Sequence, residues 1–323
     1  MQRKFFLLSL IATLICNVSF AKIWRVNNTA GIVADFTTAQ AAHDAAATGD
    51  TIHLEPSVTS YGILTTTKKL TWISTGNFLA SHLGLQYSST PGTMDGVTAN
   101  PGSDNSVFSC NAQYFQCYAP NVTFLRCFVA TNYIYILAPA NNCAIIDCYI
   151  NGYIYVQGST NTIINNNIIT FDISLDATSS AVIVNNVMNT LGGGGSSISN
   201  SQFQNNIIDQ STSPYIFINS NINNNIANNA SLPAGNGNQN NVDMNTVFVN
   251  YQGTTDGDFV LKAGGGNPAI GTGFGGIDMG AFSGTTAFVL GLQPAIPAIY
   301  QINAPAAPAG NTMTVTFSTK SNN

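Results

Sequence analysis

A solenoid of stacked parallel strands, an all-β parallel β-helix, is the fold class the sequence predicts, and three observations predict it. Between residues 121 and 229 one unit recurs six times, at spacings of 19–21 residues. Its mark is a two-residue step: Arg126-Cys127, Asp147-Cys148, Asn166-Asn167, Asn185-Asn186, Asn205-Asn206 and Asn224-Asn225. A large apolar residue stands two positions before each step (Phe124, Ile145, Ile164, Ile183, Phe203, Ile222), and another two positions after its first member (Phe128, Tyr149, Ile168, Val187, Ile207, Ile226). A unit this short buries its apolar side only by stacking on neighbours. Within each unit the apolar residues alternate, which is the period of a strand rather than a helix. The punctuation is Asn, Gly, Ser and Thr, and Asn tolerates the left-handed backbone region that tight turns need.

Coils of this kind stack about 4.8 Å apart, so equivalent side chains form ladders along the axis. Asn167, Asn186, Asn206 and Asn225 are predicted to form such a ladder, amide bonded to amide, and Cys127 and Cys148 hold the same rung on the two preceding coils. A leucine-rich repeat has a similar period, but its leucine consensus is missing.

The chain of 323 residues carries only 7% charged residues and a net charge of −5, against 45% hydrophobic residues. No basic nucleic-acid footprint exists, and the apolar content is ample for a core. A continuous solenoid implies one elongated domain. Residues 1–21 read as a secretory signal: Arg3 and Lys4 open it, residues 5–16 are apolar, and Ser19-Phe20-Ala21 offers a cleavage site. That apolar run is too short to span a membrane, and no other run is long enough. The mature chain is expected to start near Lys22, secreted or at the cell surface or in a periplasm. Five cysteines then remain: Cys110, Cys117, Cys127, Cys143 and Cys148. Stacked buried thiols and a Cys127–Cys148 disulfide both fit the spacing, although parallel side chains suit a bridge poorly. No zinc motif brings them together with His43, His53 or His82.

In chain order, residues 22–60 are expected to cap the N-terminal end. They hold a strand at 23–26, a short helix within 37–47 capped by Thr37 or Thr38, and a turn and strand at 49–54. The β-helix is assigned to residues 61–285. Residues 70–73 read as an early strand, 76–105 as irregular coils with a loop insertion near 88–104, and 229–246 as a second loop excursion. Beyond 286, Pro294, Pro297, Pro305 and Pro308 predict a stiff extended connection. Residues 312–318 alternate as a final strand. That strand could lie along the solenoid, cap it, or pair with another molecule by strand addition, giving self-association.

Several of these stretches carry a family resemblance. The Asn steps, the helix followed by Gly49-Asp50-Thr51-Ile52-His53-Leu54 and Tyr61-Gly62, and a closing run resemble the right-handed parallel β-helix proteins of the pectin-lyase-like superfamily, of the secreted bacterial type. The closing run is Asp256-Gly257-Asp258-Phe259-Val260-Leu261, Asn267-Pro268-Ala269-Ile270-Gly271 and Asp278-Met279-Gly280-Ala281. Asn267 stands where that signature has Ser. The resemblance covers residues 22–285 and implies fold rather than activity.

For function, the repeat spacing places Phe115, Ile134, Ile154, Ile173 and Ile216 in one inward column, and Cys117, Ile136, Val156, Leu175 and Ile218 in the next. Tyr114, Tyr133, Tyr153, Asp172 and Tyr215 then point outward, beside Gln116, Tyr135, Tyr155, Ser174 and Phe217. One reading of this tyrosine face is cross-coil stacking that stabilises the sheet. The other is a platform for a polysaccharide or cell-surface glycan, with rings on pyranose faces and Asp172 hydrogen-bonding hydroxyls. The resemblance implies a polysaccharide along such a strand face.

Catalysis on a glycan needs paired carboxylates, or a base with charge-neutralising groups. The best acidic set is Asp172, Asp176 and Asp209, with no His, Lys or Arg in register. Arg126 is the one cation of the regular repeat. It faces Asp147 on the next coil, so an ion pair is the simpler account than a lyase base. The motifs of polygalacturonase-like enzymes are absent. Thr131, Thr160 and Thr170 form no ice-binding ladder. Asp256 and Asp258 carry the only hint of Ca²⁺, against a role in turn formation; no other cofactor is indicated. The sequence thus favours a non-catalytic extracellular scaffold or glycan-binding adhesin. The alternatives are a lyase or hydrolase acting on an acidic glycan, and a self-assembling surface or fibre subunit.

Overall fold

The computed structural model describes residues 21–190, 196–210, 215–306 and 312–321. The secretory-signal segment lies outside them except for Ala21. The chain winds into about nine coils of a parallel β-solenoid. Each regular coil gives one strand to each of three sheets. A ten-stranded long sheet runs from Ile23–Val26 to Asn221–Asn223; an eight-stranded sheet runs from Thr93–Met94 to Ile226–Ala227; a six-stranded sheet runs from Ile63–Thr66 to Ile173–Leu175. Strand pairing is parallel and in register, with Phe124 beside Ile145, Ile145 beside Ile164 and Ile164 beside Ile183. This is the fold class the repeat predicts.

The two-residue step is the corner between the long sheet and the eight-stranded sheet. Its first member takes positive φ in every regular coil, from 51° at Asn224 to 56° at Asn205. Asn and Asp accept that conformation more readily than other side chains, whereas Arg126 holds it at a cost of order 1 kcal/mol. The second member points inward and builds the ladder. Cys148 N donates to Asn167 Oδ1 at 2.9 Å, and Asn167 N, Asn186 N and Asn206 N donate to the next amide oxygen at 3.0, 2.9 and 2.9 Å. Each Nδ2 also donates to a backbone carbonyl of a preceding coil, such as Asn186 to Ile164 O at 2.9 Å. Cys127 N donates to Cys148 Sγ at 3.3 Å, so the thiol takes the amide's place. All five cysteines are buried free thiols, which is the stacked-thiol reading.

Inside the tube, aromatic rings stack along the axis from Trp72 to Phe108 to Phe124 at 6.4 and 5.5 Å. Above them Ile145, Ile164 and Ile183 are fully buried. Each such side chain contributes about 1.5–3 kcal/mol of burial, so the column is the main source of cohesion. The N-terminal end is closed by the helix Ala39–Ala45, capped by Thr38, whose Oγ1 accepts from Ala41 N at 3.3 Å. Lys68 Nζ closes its other end by donating to the carbonyls of His43, Asp44 and Ala46, each at 2.9 Å. A cation there complements both the unpaired carbonyls and the helix dipole.

Three expectations are corrected. The stretch 88–104 is not a loop insertion: Thr93–Met94 and Gly96–Ala99 are strands of the solenoid, and the excursion lies between Ser74 and Thr93. Their Gly- and Thr-rich sequence hides strands that neighbouring coils impose. The stretch 229–246 is more than an excursion, because Asn238 Oδ1 accepts from Asn225 N at 3.1 Å and adds a rung, while buried Leu232 covers the tube end. The β-helix assigned to residues 61–285 gives its last strand to the three sheets at Ile226–Ala227, and the closing run beyond it adds none.

Residues 244–293 instead form a strap that returns along the eight-stranded sheet. The first members of the steps hold it in reverse order. Asn224 Nδ2 donates to Thr272 O at 3.2 Å, Phe274 N donates to Asn205 Oδ1 at 2.8 Å, Asn166 Nδ2 donates to Ala281 O and Ser283 O at 2.7 Å each, and an Arg126 guanidinium N–H donates to Gln293 O at 2.9 Å. Beneath the strap, Ile168, Val187, Ile207 and Ile226 form a second core with Phe248, Phe259, Met279 and Phe288. This explains why the residue two after each step is apolar although it faces away from the tube. At Gly280 the contact is close enough that a Cβ would meet Ile207 Cδ1 at 2.7 Å.

The chain ends in an antiparallel hairpin, Ala298–Asn303 with Thr316–Lys320. The final strand thus pairs with its own chain. Tyr87 N donates to Ile299 O at 2.8 Å and ties the hairpin to the excursion after Ser74.

Candidate glycan-binding face

The six-stranded sheet carries the tyrosines. Alternation along Tyr133–Leu137 and Tyr153–Gln157 sends Ile134, Ile136, Ile154 and Val156 into the tube and leaves Tyr133, Tyr135, Tyr153 and Tyr155 half-buried on the outside. Parallel pairing sets Tyr133 beside Tyr153 and Tyr135 beside Tyr155. Tyr133 and Tyr135 stack at 4.0 Å between centroids, and Tyr153 and Tyr155 at 5.3 Å. Tyr135 meets Tyr155 edge-on at 4.8 Å, and Tyr114 and Phe171 extend the group at its two ends. Tyr114 sits over Gly96, where a Cβ would lie 2.2 Å from the ring. The stacking reading is therefore realised, and it leaves a continuous, half-exposed aromatic ridge across four coils.

Burial, then neighbouring Tyr133, pushes Tyr135 up; burial, then Tyr135, Tyr153 and Asp172, pushes Tyr155 up. Both hydroxyls stay protonated at neutral pH and can donate as well as accept. Gln116 Nε2 donates to the Tyr133 hydroxyl at 3.1 Å and fixes one ring. No Lys or Arg stands on the tyrosine strands or on their neighbours Phe115–Cys117 and Ile173–Leu175.

Two of the predicted face residues belong elsewhere. Asp172 is only 1% exposed, and Tyr215 is buried against the main core. The Tyr215 hydroxyl donates to Asp172 Oδ1 at 3.3 Å and lies within 3.5 Å of Met188 Sδ. Burial, then Asp172, pushes the Tyr215 hydroxyl pKa well up. The same region reverses the predicted column. Ile216 and Ile218 face outward, while Phe217 packs against the core beside Phe203 at 5.3 Å. The cause is the connection from the eight-stranded sheet. Ile169 reaches its inward partner Ile173 four residues on, but Ile208 reaches Phe217 nine residues on. An odd change in spacing inverts every side chain that follows. Ser197–Ser199 and Ile216–Ile218 form a separate two-stranded sheet.

The predicted acidic set is likewise spread out. Asp176 accepts from Ser179 Oγ, Thr178 N and Gly158 N, a turn-forming role. Burial raises its pKa, but these hydrogen bonds outweigh burial and hold it below the ordinary value. Asp209 accepts from the Asn228 amide at the end of an eight-stranded-sheet strand, and burial pushes it up. Asp172 is inside. Their contacts set the three carboxylates in different surroundings. Asp256 Oδ1 meets His82 Nε2 at 2.6 Å and Oδ2 accepts from Gly291 N at 2.6 Å, while Asp258 accepts from Thr255 N at 2.9 Å. The Asp258 contact is local to its turn, whereas the two Asp256 contacts tie distant segments together, and both carboxylates are engaged.

Arg126 and Asp147 form the cross-coil pair, at 3.8 Å, with both side chains largely buried. Burial wins at Asp147: it pushes the carboxyl up to about 7 against the opposing pull of Arg126. A folded pKa above the unfolded value of 3.8 means stability that is fully present below pH 3.8 and lost as pH rises through about 7. Asp147→Asn should therefore match the wild type in stability near pH 4 and exceed it by about 1–3 kcal/mol at pH 8. Denaturant melts at the two pH values check this; an equal difference at both would contradict it.

The fold and face together define a parallel β-solenoid with an aromatic outer ridge and a strap along a second face. Comparison with family models, curated proteins and solved structures finds no match to this chain.

Sequence reasoning missed an exposed amide ladder as well as the strap. Asn142 Nδ2 donates to Asn121 Oδ1 at 3.3 Å, and Asn161 Nδ2 to Asn142 Oδ1 at 3.1 Å, at the corner leading into the long sheet. Its signal was present as a second Asn at a spacing of 19–21 residues.

Proposed function

We propose that this chain is a secreted, non-catalytic β-solenoid that holds a neutral polysaccharide on its tyrosine ridge. The observation that carries the reading is the side-by-side set Tyr114, Tyr133, Tyr135, Tyr153 and Tyr155, half-exposed on one rigid sheet. Aromatic rings present large apolar area at low entropic cost, and their hydroxyls offer the polar contacts that a sugar needs. The lack of a cation on those strands favours a neutral glycan over a uronate, whose carboxylates would have no partner. The dispersed, hydrogen-bonded carboxylates favour retention over cleavage. Membership of the pectin-lyase-like superfamily is part of this reading, supported by the inward Asn ladder and the helix-capped first coil. Export is supported by the leader-like residues 1–21.

Tyr133→Ala and Tyr153→Ala should each weaken retention of neutral glycans by about 1–2 kcal/mol, roughly five- to thirty-fold, with unchanged circular dichroism. Affinity electrophoresis through gels containing single polysaccharides measures this. Equal retardation of wild type and variants would overturn the reading.

A further inference from the structure

We infer that a second site, separate from the tyrosine ridge, takes a small neutral molecule of one or two apolar rings bearing a single hydrogen-bond donor. The site is a cavity of about 310 Å³ between the outward side of the first coils, the excursion near Tyr87 and the C-terminal connection. Its walls include Pro56, Tyr87, Pro294, Ile296, Ile299 and Ile302. That volume and a mostly apolar lining suit a compact ring system. No Lys, Arg, Asp or Glu lines it, so an ion gains nothing by entering.

His53 supplies a polar contact on the solenoid side of the cavity. It lies on the strand Thr51–Leu54, whose Ile52 and Leu54 face the tube and whose His53 faces the cavity. Its ring nitrogens have no hydrogen bond to any described residue. Burial lowers its pKa, outweighing the opposite pull of Glu55, so the ring is neutral at pH 7 and keeps one acceptor nitrogen. The Ser74, Thr75 and Ser88 hydroxyls that also line the cavity already bond backbone groups of Thr90 and Gly92, so His53 and the Gln86 amide are side-chain groups left for a ligand with few donors. A sugar entering here would leave most hydroxyls without partners, and a site rejects such a ligand strongly. The bound molecule would touch both the first coils and the hairpin Ala298–Asn303, so it would also tie the C-terminal end of the chain to the solenoid.

The test uses the intact protein and the neutral fluorophore N-phenyl-1-naphthylamine, with indole and 1-methylindole as competitors. Saturable, one-to-one fluorescence enhancement is expected, with indole displacing the probe about five-fold more effectively than 1-methylindole, which lacks the N–H. Ala298→Trp fills the cavity and should weaken probe binding at least ten-fold. His53→Phe keeps the shape, so probe binding should persist while the preference for indole disappears. Tyr133→Ala should change neither, which separates this site from the ridge. Non-saturable enhancement overturns the proposal. So does a preference for indole that survives His53→Phe, or binding that survives Ala298→Trp.

Discussion

Asn186→Leu should destabilise the solenoid by about 3 kcal/mol or more, among the largest effects of any single substitution in the tube. Asn186 accepts from Asn167 N and donates to Ile164 O, Val184 O and Asn206 Oδ1. Leucine fills a similar volume but orphans several of these buried groups, each costing about 1–3 kcal/mol. Water cannot replace the lost partners, because the Asn186 side chain is fully buried. Val182→Thr is the matched control: it lies on the same coil, is 39% exposed and should stay within about 0.5 kcal/mol. Equilibrium denaturation of both variants checks the pair. Equal stabilities would mean that the apolar columns alone hold the coils in register.

Asp256→Ala should release the strap. The Asp256 carboxylate is fully buried and joins three segments: His82 in the excursion, Gly257 in its own turn, and Gly291 near the end of the strap. Removing one member of such a buried group costs about 3–5 kcal/mol, because the others keep their desolvation without their partner. The damage should be local. Lys262 lies on an exposed turn of the strap, so trypsin should cut the variant there much faster than the wild type. Hydrogen exchange in Tyr133–Leu137 and Tyr153–Gln157, on another face, should barely change. Exchange rising equally in all three sheets would show instead that strap and coils unfold as one unit.

The coils were legible because identical positions do identical jobs. A step of αL residue then inward amide recurs at a nearly constant spacing, and that spacing alone phases Ile134, Ile154 and Ile173 correctly. The same arithmetic fails past Met188, where the connections lengthen and nothing in the local pattern marks whether the change is odd or even. Tyr215 was misplaced for that reason; Asp172 keeps its predicted phase beside inward Ile173 but is buried, with the Tyr215 hydroxyl bonded to it. The strap was illegible for a different one. Its residues have no period, and their partners are far away in the chain, 167 positions for Gln293 with Arg126 and 208 for Gln293 with Leu85. Yet its imprint was in the repeat. Ile168, Val187, Ile207 and Ile226 are apolar on a face that an uncovered solenoid would have kept polar. The Asp147 carboxylate shows a further limit: the sequence pairs it with Arg126, but only the geometry shows burial outweighing that pair.

The central claim is retention of a neutral glycan without cleavage, and one measurement tests it most directly. The purified protein would be incubated with separate neutral and uronate polysaccharides, recording bound polymer together with newly formed reducing or unsaturated ends. The account predicts bound neutral polymer, no new ends, and loss of binding in the Tyr133→Ala, Tyr153→Ala double variant. New chain ends that grow with time, or binding that the double variant keeps, would contradict it.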